Sequence, residues 1–314
     1  MHAGDLDSDI DRAGRPRWRG QPGRLEVHYL TATDDATGAG LWLHHEVVAP
    51  TSGDAYAHGW VATFPVDGEP SYERFGPAAI GPRPEGAWFH AGGATMTPTS
   101  AAGASDGHGW DLQWDAGGRP LWTFPRWAWR RQALPAAQVL PTARTRVTGV
   151  VDGARFDGYG AIAHIYGHGN AQRWAWLHAD LGGGDVLEVV AATARRPGLR
   201  ALPPLPLVQL RSDGVDWPRD PLAAAVVLRA RIGKDGFRVG GIVGTRRLRI
   251  AVTMPAERCV AIGYTDPDGA TATCTNTERA DVAVTTEDLT ARGWRGRRSW
   301  RLDGTGHAEV GSRP

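Results

Sequence analysis

Between Gly158 and Asp180 the chain reads GYGAIAHIYGHGNAQRWAWLHAD, and related side chains recur there at every second position. His164, Tyr166 and His168 alternate, the chain passes through Gly167-His-Gly-Asn170, and Trp174, Trp176 and His178 alternate again. A period of two is the mark of a strand, whose successive side chains point to opposite faces. Each triplet therefore shares one face, and the two strands read as a pair joined by the glycine-containing turn. A core face normally carries Val, Ile and Leu, which have no polar atoms to satisfy. Indoles, a phenol and imidazoles suit a pocket wall that is apolar and also able to hydrogen-bond.

The same alternation runs through most of the chain. Strands are expected at Leu41–Val48, Trp60–Phe64, Trp110–Trp114, Thr145–Val151, Leu187–Ala192, Val226–Ile232, Gly236–Val243, Arg247–Thr253, Cys259–Tyr264, Thr271–Thr275 and Ser299–Leu302, with tight turns at Asp152-Gly153, Asp235-Gly236 and Asp266-Pro-Asp-Gly269. With 42 Gly and 22 Pro, long helices have little room. Short helical turns are expected only at Pro221–Ala230 and Ala133–Val139. The fold class is all-β, and two barrel or sandwich domains packed together bury so many short strands economically. The Gly-, Ala-, Ser- and Thr-rich stretch Ala91–Gly109 reads as a surface loop. The proline-rich stretch 197–206 reads as an extended linker between a domain at 21–196 and another at 207–314.

A net charge of +1 supplies no field that would draw in nucleic acid or an anionic membrane. All the basic residues except Lys234 are arginines, which removes Schiff-base and P-loop lysine chemistry. No apolar run is long enough to span a bilayer, and the acidic start at residues 1–20 lacks a signal-peptide pattern; this stretch reads as a flexible tail of a cytoplasmic protein, monomer or homodimer. The hairpin at Asp266–Gly269 sets Cys259 and Cys274 diagonally, so reduced thiols are expected.

Two motifs fail on context. Gly158-Tyr-Gly160-Ala-Ile-Ala163 fits a dinucleotide fingerprint, but no helix start follows it. Gly103-Ala-Ser105-Asp-Gly107 fits a nucleophile elbow, but a loop-like stretch precedes it. His164, His168 and His178 do not share a carboxylate at metal-ligand spacing, so no metal is expected. Leu41–Val47 places Trp42, His44 and Glu46 on one face and Leu41, Leu43, His45 and Val47 on the other; His108–Trp114 places Trp110 with Trp114, and Asp111 opposite them.

These residues carry a resemblance. Gly40–Pro50, Trp110-Asp-Leu112 and His164-Ile-Tyr-Gly-His-Gly-Asn-Ala-Gln-Arg-Trp-Ala-Trp176 resemble the carotenoid 1,2-hydratase and AttH-like group, which is similar to tocopherol cyclases and lipocalin-like Diels–Alderases. The resemblance implies two calycin-like β domains and a hydrophobic ligand in a barrel or between the domains. It also implies cofactor-free protonation, hydration or ring closure of isoprenoid or polyketide-derived molecules. This chain departs from the pattern at two points: Tyr166 replaces a hallmark tryptophan, and Ala163 stands where the hydratases hold a proton-donating acid.

The expected function is therefore a cofactor-independent cyclase or isomerase for a hydrophobic small molecule. His164, Tyr166 and Glu46 are the expected catalytic donors and acceptors. Trp42, His44, Trp110, Trp114, Tyr159, His168, Trp174, Trp176 and His178 are expected to contact substrate. Ala163 favours the alternative of a non-catalytic carrier for a lipophilic ligand, and a scaffold with purely structural tryptophans is the third reading.

Overall fold

The computed structural model describes residues 12–117, 119–131 and 134–314. The chain is nearly all strand and divides into two compact units. Unit 1 takes in the chain up to Trp122, Arg126–Asn170 and Thr265–Thr271; unit 2 takes in Thr123–Pro125, Ala171–Tyr264 and Ala272–Pro314.

Unit 1 is built on ten strands: β1 (Arg24–Asp34), β2 (Gly40–Ala49), β3 (Tyr56–Phe64), β4 (Ser71–Ala79), β5 (Phe89–Ala91), β6 (Ala94–Met96), β7 (Ser100–Ser105), β8 (His108–Trp114), β9 (Ala136–Val151) and β10 (Ala154–Gly167). They form one antiparallel sheet in the order β4-β3-β2-β1-β10-β9-β8-β7-β6-β5. The sheet curls until its ends approach: Ser105 Oγ on β7 donates to the Arg74 carbonyl on β4 at 2.8 Å. Curling gives the sheet an inner face, and Leu30, Leu43, Val61, Met96, Leu112 and Ile162 fill it with aliphatic side chains of 2% exposure or less. Strands β1 and β2 are buried on both faces.

Unit 2 follows with β11 (Arg173–Gly182), β12 (Asp185–Thr193), β13 (Leu205–Ser212), β14 (Val215–Trp217), β15 (Arg229–Ile232), β16 (Gly236–Val243), β17 (Arg246–Thr253), β18 (Val260–Thr265), β19 (Thr271–Thr290) and β20 (Gly293–Ser312). Its sheet runs β14-β13-β12-β11-β20-β19-β17-β16-β15, with β18 pairing β19. Leu177, Leu187, Val189, Val208, Leu248 and Val284 point to one face and make its core.

Several expectations are corrected here. The strands carrying His164 and Trp174 do not pair with each other: β10 pairs β1 and β9 in unit 1, whereas β11 pairs β12 and β20 in unit 2. The chain changes unit after Asn170, so the proline-rich stretch 197–206 joins no domains; it connects β12 to β13, which are antiparallel neighbours in unit 2. Ala91–Gly109 is not a loop but carries β6 and β7, because Ala94, Met96 and Ala101 turn into the core while the small residues between them pair their backbones. Ala136–Val139 opens strand β9, and the short helix lies earlier, at α1 (Arg126–Arg131), directly after Pro125, whose fixed φ suits a helix entrance. The second helix, α2 (Pro221–Ala225), forms inside the expected stretch, capped by Asp220, whose side chain accepts from the Leu222 and Ala223 amides.

The Asp266–Gly269 hairpin forms as expected: the Asp266 amide donates to the Ala270 carbonyl and the Gly269 amide to the Asp266 carbonyl, each at 2.8 Å. Cys259 and Cys274 are unbridged, Cys274 fully buried and Cys259 half-buried. Among the described residues no helix is long and apolar enough to cross a membrane.

Candidate active site

On an antiparallel sheet, residues paired across strands share a face. One row crosses unit 1 as Ala163–Tyr29–His44–Trp60–Arg74, from β10 through β1, β2 and β3 to β4. The neighbouring row on that face is Val27–Glu46–His58. The expected grouping of Trp42, His44 and Glu46 is therefore present, and β3 adds His58 and Trp60 to it.

The Glu46 carboxylate is the centre of this group. Its Oε2 stands 3.3 Å from Nε2 of His44 and 3.3 Å from Nε2 of His58. Burial disfavours ionisation of Glu46, yet the hydrogen bonds from His44 and His58 outweigh it and hold the carboxyl down at about 2. Burial lowers His44 to about 4, against the pull of Glu46. At neutral pH His44 is therefore the neutral tautomer, with its proton on Nε2 toward Glu46 and Nδ1 as the basic nitrogen.

Aromatic rings fix this imidazole in place. His44 stacks on Trp60 with centroids 3.7 Å apart and planes 6° from parallel, and Trp42 meets both rings edge-on. The Arg74 guanidinium lies 5.0 Å from the Trp60 ring centroid. His58 alone of the three groups has an accessible edge, its side chain 15% exposed against 4% for His44 and 3% for Glu46. Gly59 makes the approach of β3 possible: a Cβ there would meet the His44 carbonyl at 1.9 Å. Tyr56 stands beside His58, and burial raises its phenol, which therefore keeps its proton.

The opposite face of the same strands carries a second cluster. His28 pairs both His164 and His45, and Glu26 pairs Tyr166. Glu46 therefore does not converge with His164 and Tyr166, because the sheet itself separates them. His164 is fully buried, with Nδ1 2.8 Å from the Ala13 carbonyl and Nε2 2.9 Å from Glu26 Oε1. Burial opposes ionisation of Glu26 too, but the hydrogen bond from His164 holds it at about 2. Both nitrogens of His164 thus face acceptors. His28 stacks on His164 at 4.1 Å and donates Nε2–H to the Gly14 carbonyl at 2.7 Å; burial drives it well below the usual imidazole range.

These contacts seat the N-terminal segment. Residues 12–20 are not a loose tail: the Arg17 and Trp18 amides donate to the two Glu26 oxygens at 2.5 and 3.2 Å, and Arg17 donates to the Trp129 carbonyl. The Arg17 guanidinium also lies over the rings of Trp129 and Tyr166. Residue 14 must be glycine, since a Cβ there would meet the Trp88 ring at 2.1 Å. Residues 1–11 of the expected tail lie outside the described residues. In this structure His164 and Tyr166 hold that segment rather than an open pocket.

Trp174, Trp176 and His178 lie in unit 2, on the face opposite its aliphatic core. His178 pairs Glu188 on one side and His307 on the other. Glu188, fully buried, accepts from Trp176 Nε1 at 2.6 Å and from His178 Nδ1 at 3.0 Å. Glu278, also fully buried, pairs with His307, and Trp174 Nε1 donates to Glu309 at 2.6 Å. Burial pushes the Glu309 carboxyl up.

The remaining expected contacts are dispersed. Trp110 and Trp114 belong to the core of unit 1, with Trp114 Nε1 donating to the Pro98 carbonyl at 2.7 Å. Tyr159 is half-buried under the Arg144 guanidinium, 3.8 Å from the ring centroid, and His168 is exposed.

No family model matches the chain. Two proteins of Mycobacterium tuberculosis, uncharacterized protein MT0513 of strain CDC 1551 / Oshkosh and uncharacterized protein Rv0493c of strain ATCC 25618 / H37Rv, are each 50% identical to it over 313 residues, covering 98% of this chain and 92% of theirs. The chain belongs to their family. Its fold is shared more widely. CghA, solved with Sch210972, matches at a TM-score of 0.57 with 13% identity over 95% of this chain and 94% of its own. NE1406 of Nitrosomonas europaea, an AttH by assignment, matches at 0.53 with 13% identity over 93% of each chain. Kievitone hydratase of Nectria haematococca matches at 0.51 with 9% identity over 95% of this chain and 90% of its own.

Proposed function

We propose that this protein is an enzyme that moves a proton on an apolar small molecule, so that the molecule is isomerised, cyclised or hydrated without an organic cofactor or metal. The supporting observation is the buried Glu46 carboxylate between His44 and His58, with only His58 reaching an accessible edge. In this reading His58 is the catalytic acid and base. Glu46 and His44 position it, its proton returns from water at the accessible edge, and Trp60 holds His44 by stacking. A proton given to a double bond leaves a carbocation. Loss of a neighbouring proton to His58 then gives an isomer; attack by a second double bond closes a ring and moves the cation, which loses a proton in the same way; attack by water, followed by loss of a proton from the oxonium, gives an alcohol. Tyr56, a neutral phenol beside His58, is suited to donate to a substrate carbonyl.

Two further facts support the reading. The resemblance places the hydratases' acid at position 163, and Ala163 stands in the same row as Tyr29 and His44. A carboxylate missing on β10 is thus matched on this face by Glu46 on β2. The fold is also that of kievitone hydratase and of CghA, and the family resemblance implies an isoprenoid or polyketide-derived substrate. Ala163 favours a second reading, a carrier that binds such a molecule without converting it.

Turnover separates the two. Wild type, His58→Ala and Glu46→Gln are incubated with a panel of isoprenoids and polyene ketones, and products are read by liquid chromatography and mass spectrometry. The enzyme reading expects a product of unchanged mass, or of mass increased by one water, whose rate falls about 100-fold in His58→Ala. Binding without product in wild type would instead establish the carrier.

A further inference from the structure

A cavity of about 290 Å³ lies in unit 1 on the inner-face side of the sheet, away from Glu46. Val47, Ala57, Trp88 and Phe89 line it with apolar surface, and Trp18 of the N-terminal segment lines it as well. Three further lining groups, Arg19, Arg83 and His90, are basic side chains at the solvent edge, and among the described residues no carboxylate lines the space. We propose that this cavity binds a small amphipathic carboxylate, an aromatic or isoprenoid acid, with its apolar body between the indoles and its carboxylate on Arg19 and Arg83.

Both guanidiniums are held at the rim but not neutralised. Arg83 donates to the Trp88 carbonyl at 3.2 Å and Arg19 to the Trp18 carbonyl at 3.2 Å. Among the described residues neither makes an ion pair. A planar guanidinium with donors to spare pairs best with a planar carboxylate, which two arginines can grip bidentately. The walls are built rather than incidental. Trp88 is 3% exposed and stacks on His28 at 5.5 Å. Trp18 is fixed by the hydrogen bond its backbone amide donates to Glu26, the carboxylate that His164 holds. The buried Glu26–His164–His28 cluster thus sets the spacing of the two indoles, and so gains a role as the support of a binding site. The volume suits one fused ring pair or a short isoprenoid chain.

Isothermal titration calorimetry with 2-naphthoate and its neutral isostere 2-naphthamide tests this. The inference expects wild type to bind 2-naphthoate at least tenfold more tightly than 2-naphthamide. The Arg19→Ala/Arg83→Ala double variant should lose at least tenfold affinity for the acid and none for the amide. Both arginines are exposed, so an unchanged melting temperature will confirm that this variant folds. Trp18→Ala should weaken both ligands, whereas Glu46→Gln, on the other face of the sheet, should change neither. The inference is overturned if 2-naphthoate does not bind, if acid and amide bind alike, if the double variant keeps wild-type affinity, or if Glu46→Gln alters binding.

Discussion

Ala163 and His164 are neighbours in the chain and face opposite sides of one sheet. Ala163 pairs Tyr29 in the row that leads to His44, and His164 pairs His28 in the row that leads to His45. A one-residue step therefore separates two chemistries. One face holds a carboxylate between two imidazoles with an accessible edge, and the other holds a sealed imidazole that anchors the N-terminal segment.

That anchoring is testable at Gly14. Gly14→Ala would drive a methyl group into the Trp88 ring and so expel the segment while leaving the strands paired. Tryptic cleavage after Arg17 or Arg19 should accelerate about tenfold, with little change in the unfolding of unit 1. Cleavage at the wild-type rate would show that the segment does not need this close approach.

His45 carries a pH signature. It is fully buried among Phe75, Phe89 and Trp110, and burial lowers it to about 3. Below about pH 6.5 the unfolded chain takes up a proton that the fold refuses, so stability falls as pH drops from there toward 3. His45→Leu should therefore gain about 2 kcal/mol relative to wild type at pH 5 that it does not gain at pH 8, read by urea denaturation. An equal effect at both pH values would place the proton elsewhere.

The period-two pattern made some of this legible and hid the rest. The two faces of β2 read correctly because Trp42, His44 and Glu46 alternate strictly with Leu41, Leu43 and His45. His58 escaped notice because Gly59 breaks the pattern, and that glycine's purpose, the close approach to His44, exists only in the folded sheet. Strand β1 was missed because Glu26 and His28 occupy its inner face, where an apolar residue is the usual signal. The pairing of His164 with Trp174 failed for a different reason. Adjacent alternating stretches normally pair, but here each found partners distant in sequence: β1 for one, β20 for the other. The seating of residues 12–20 was illegible, since it depends on backbone carbonyls meeting His28 and His164.

In unit 2 the relevant pair is His178 and Glu188. His178→Ala leaves a fully buried carboxylate without its imidazole and should cost about 3–5 kcal/mol. Adding Glu188→Gln should recover a large part of that loss, because the neutral amide removes the stranded charge. A double variant no more stable than His178→Ala would show that packing, not charge, carries the effect.

The thiols should be slow. Burial, reinforced by Glu257 and Asp235, pushes Cys259 up to about 11, and burial raises Cys274 well above the usual thiol range. At pH 8 Cys259 should react with Ellman's reagent about a hundredfold more slowly than a free cysteine, and Cys274 only after unfolding. Rapid labelling of the folded protein would contradict both assignments.

The central claim is that His58, backed by Glu46, passes a solvent-exchangeable proton to substrate carbon, and counting deuterium tests it most directly. With the substrate identified from the panel above, the reaction is run in deuterium oxide and the product isolated for mass spectrometry and nuclear magnetic resonance. The account predicts one carbon-bound deuterium per turnover, with formation of that product about 100-fold slower in Glu46→Gln and His58→Ala. A product free of deuterium at carbon, or one formed by Glu46→Gln and His58→Ala at the wild-type rate, would contradict it.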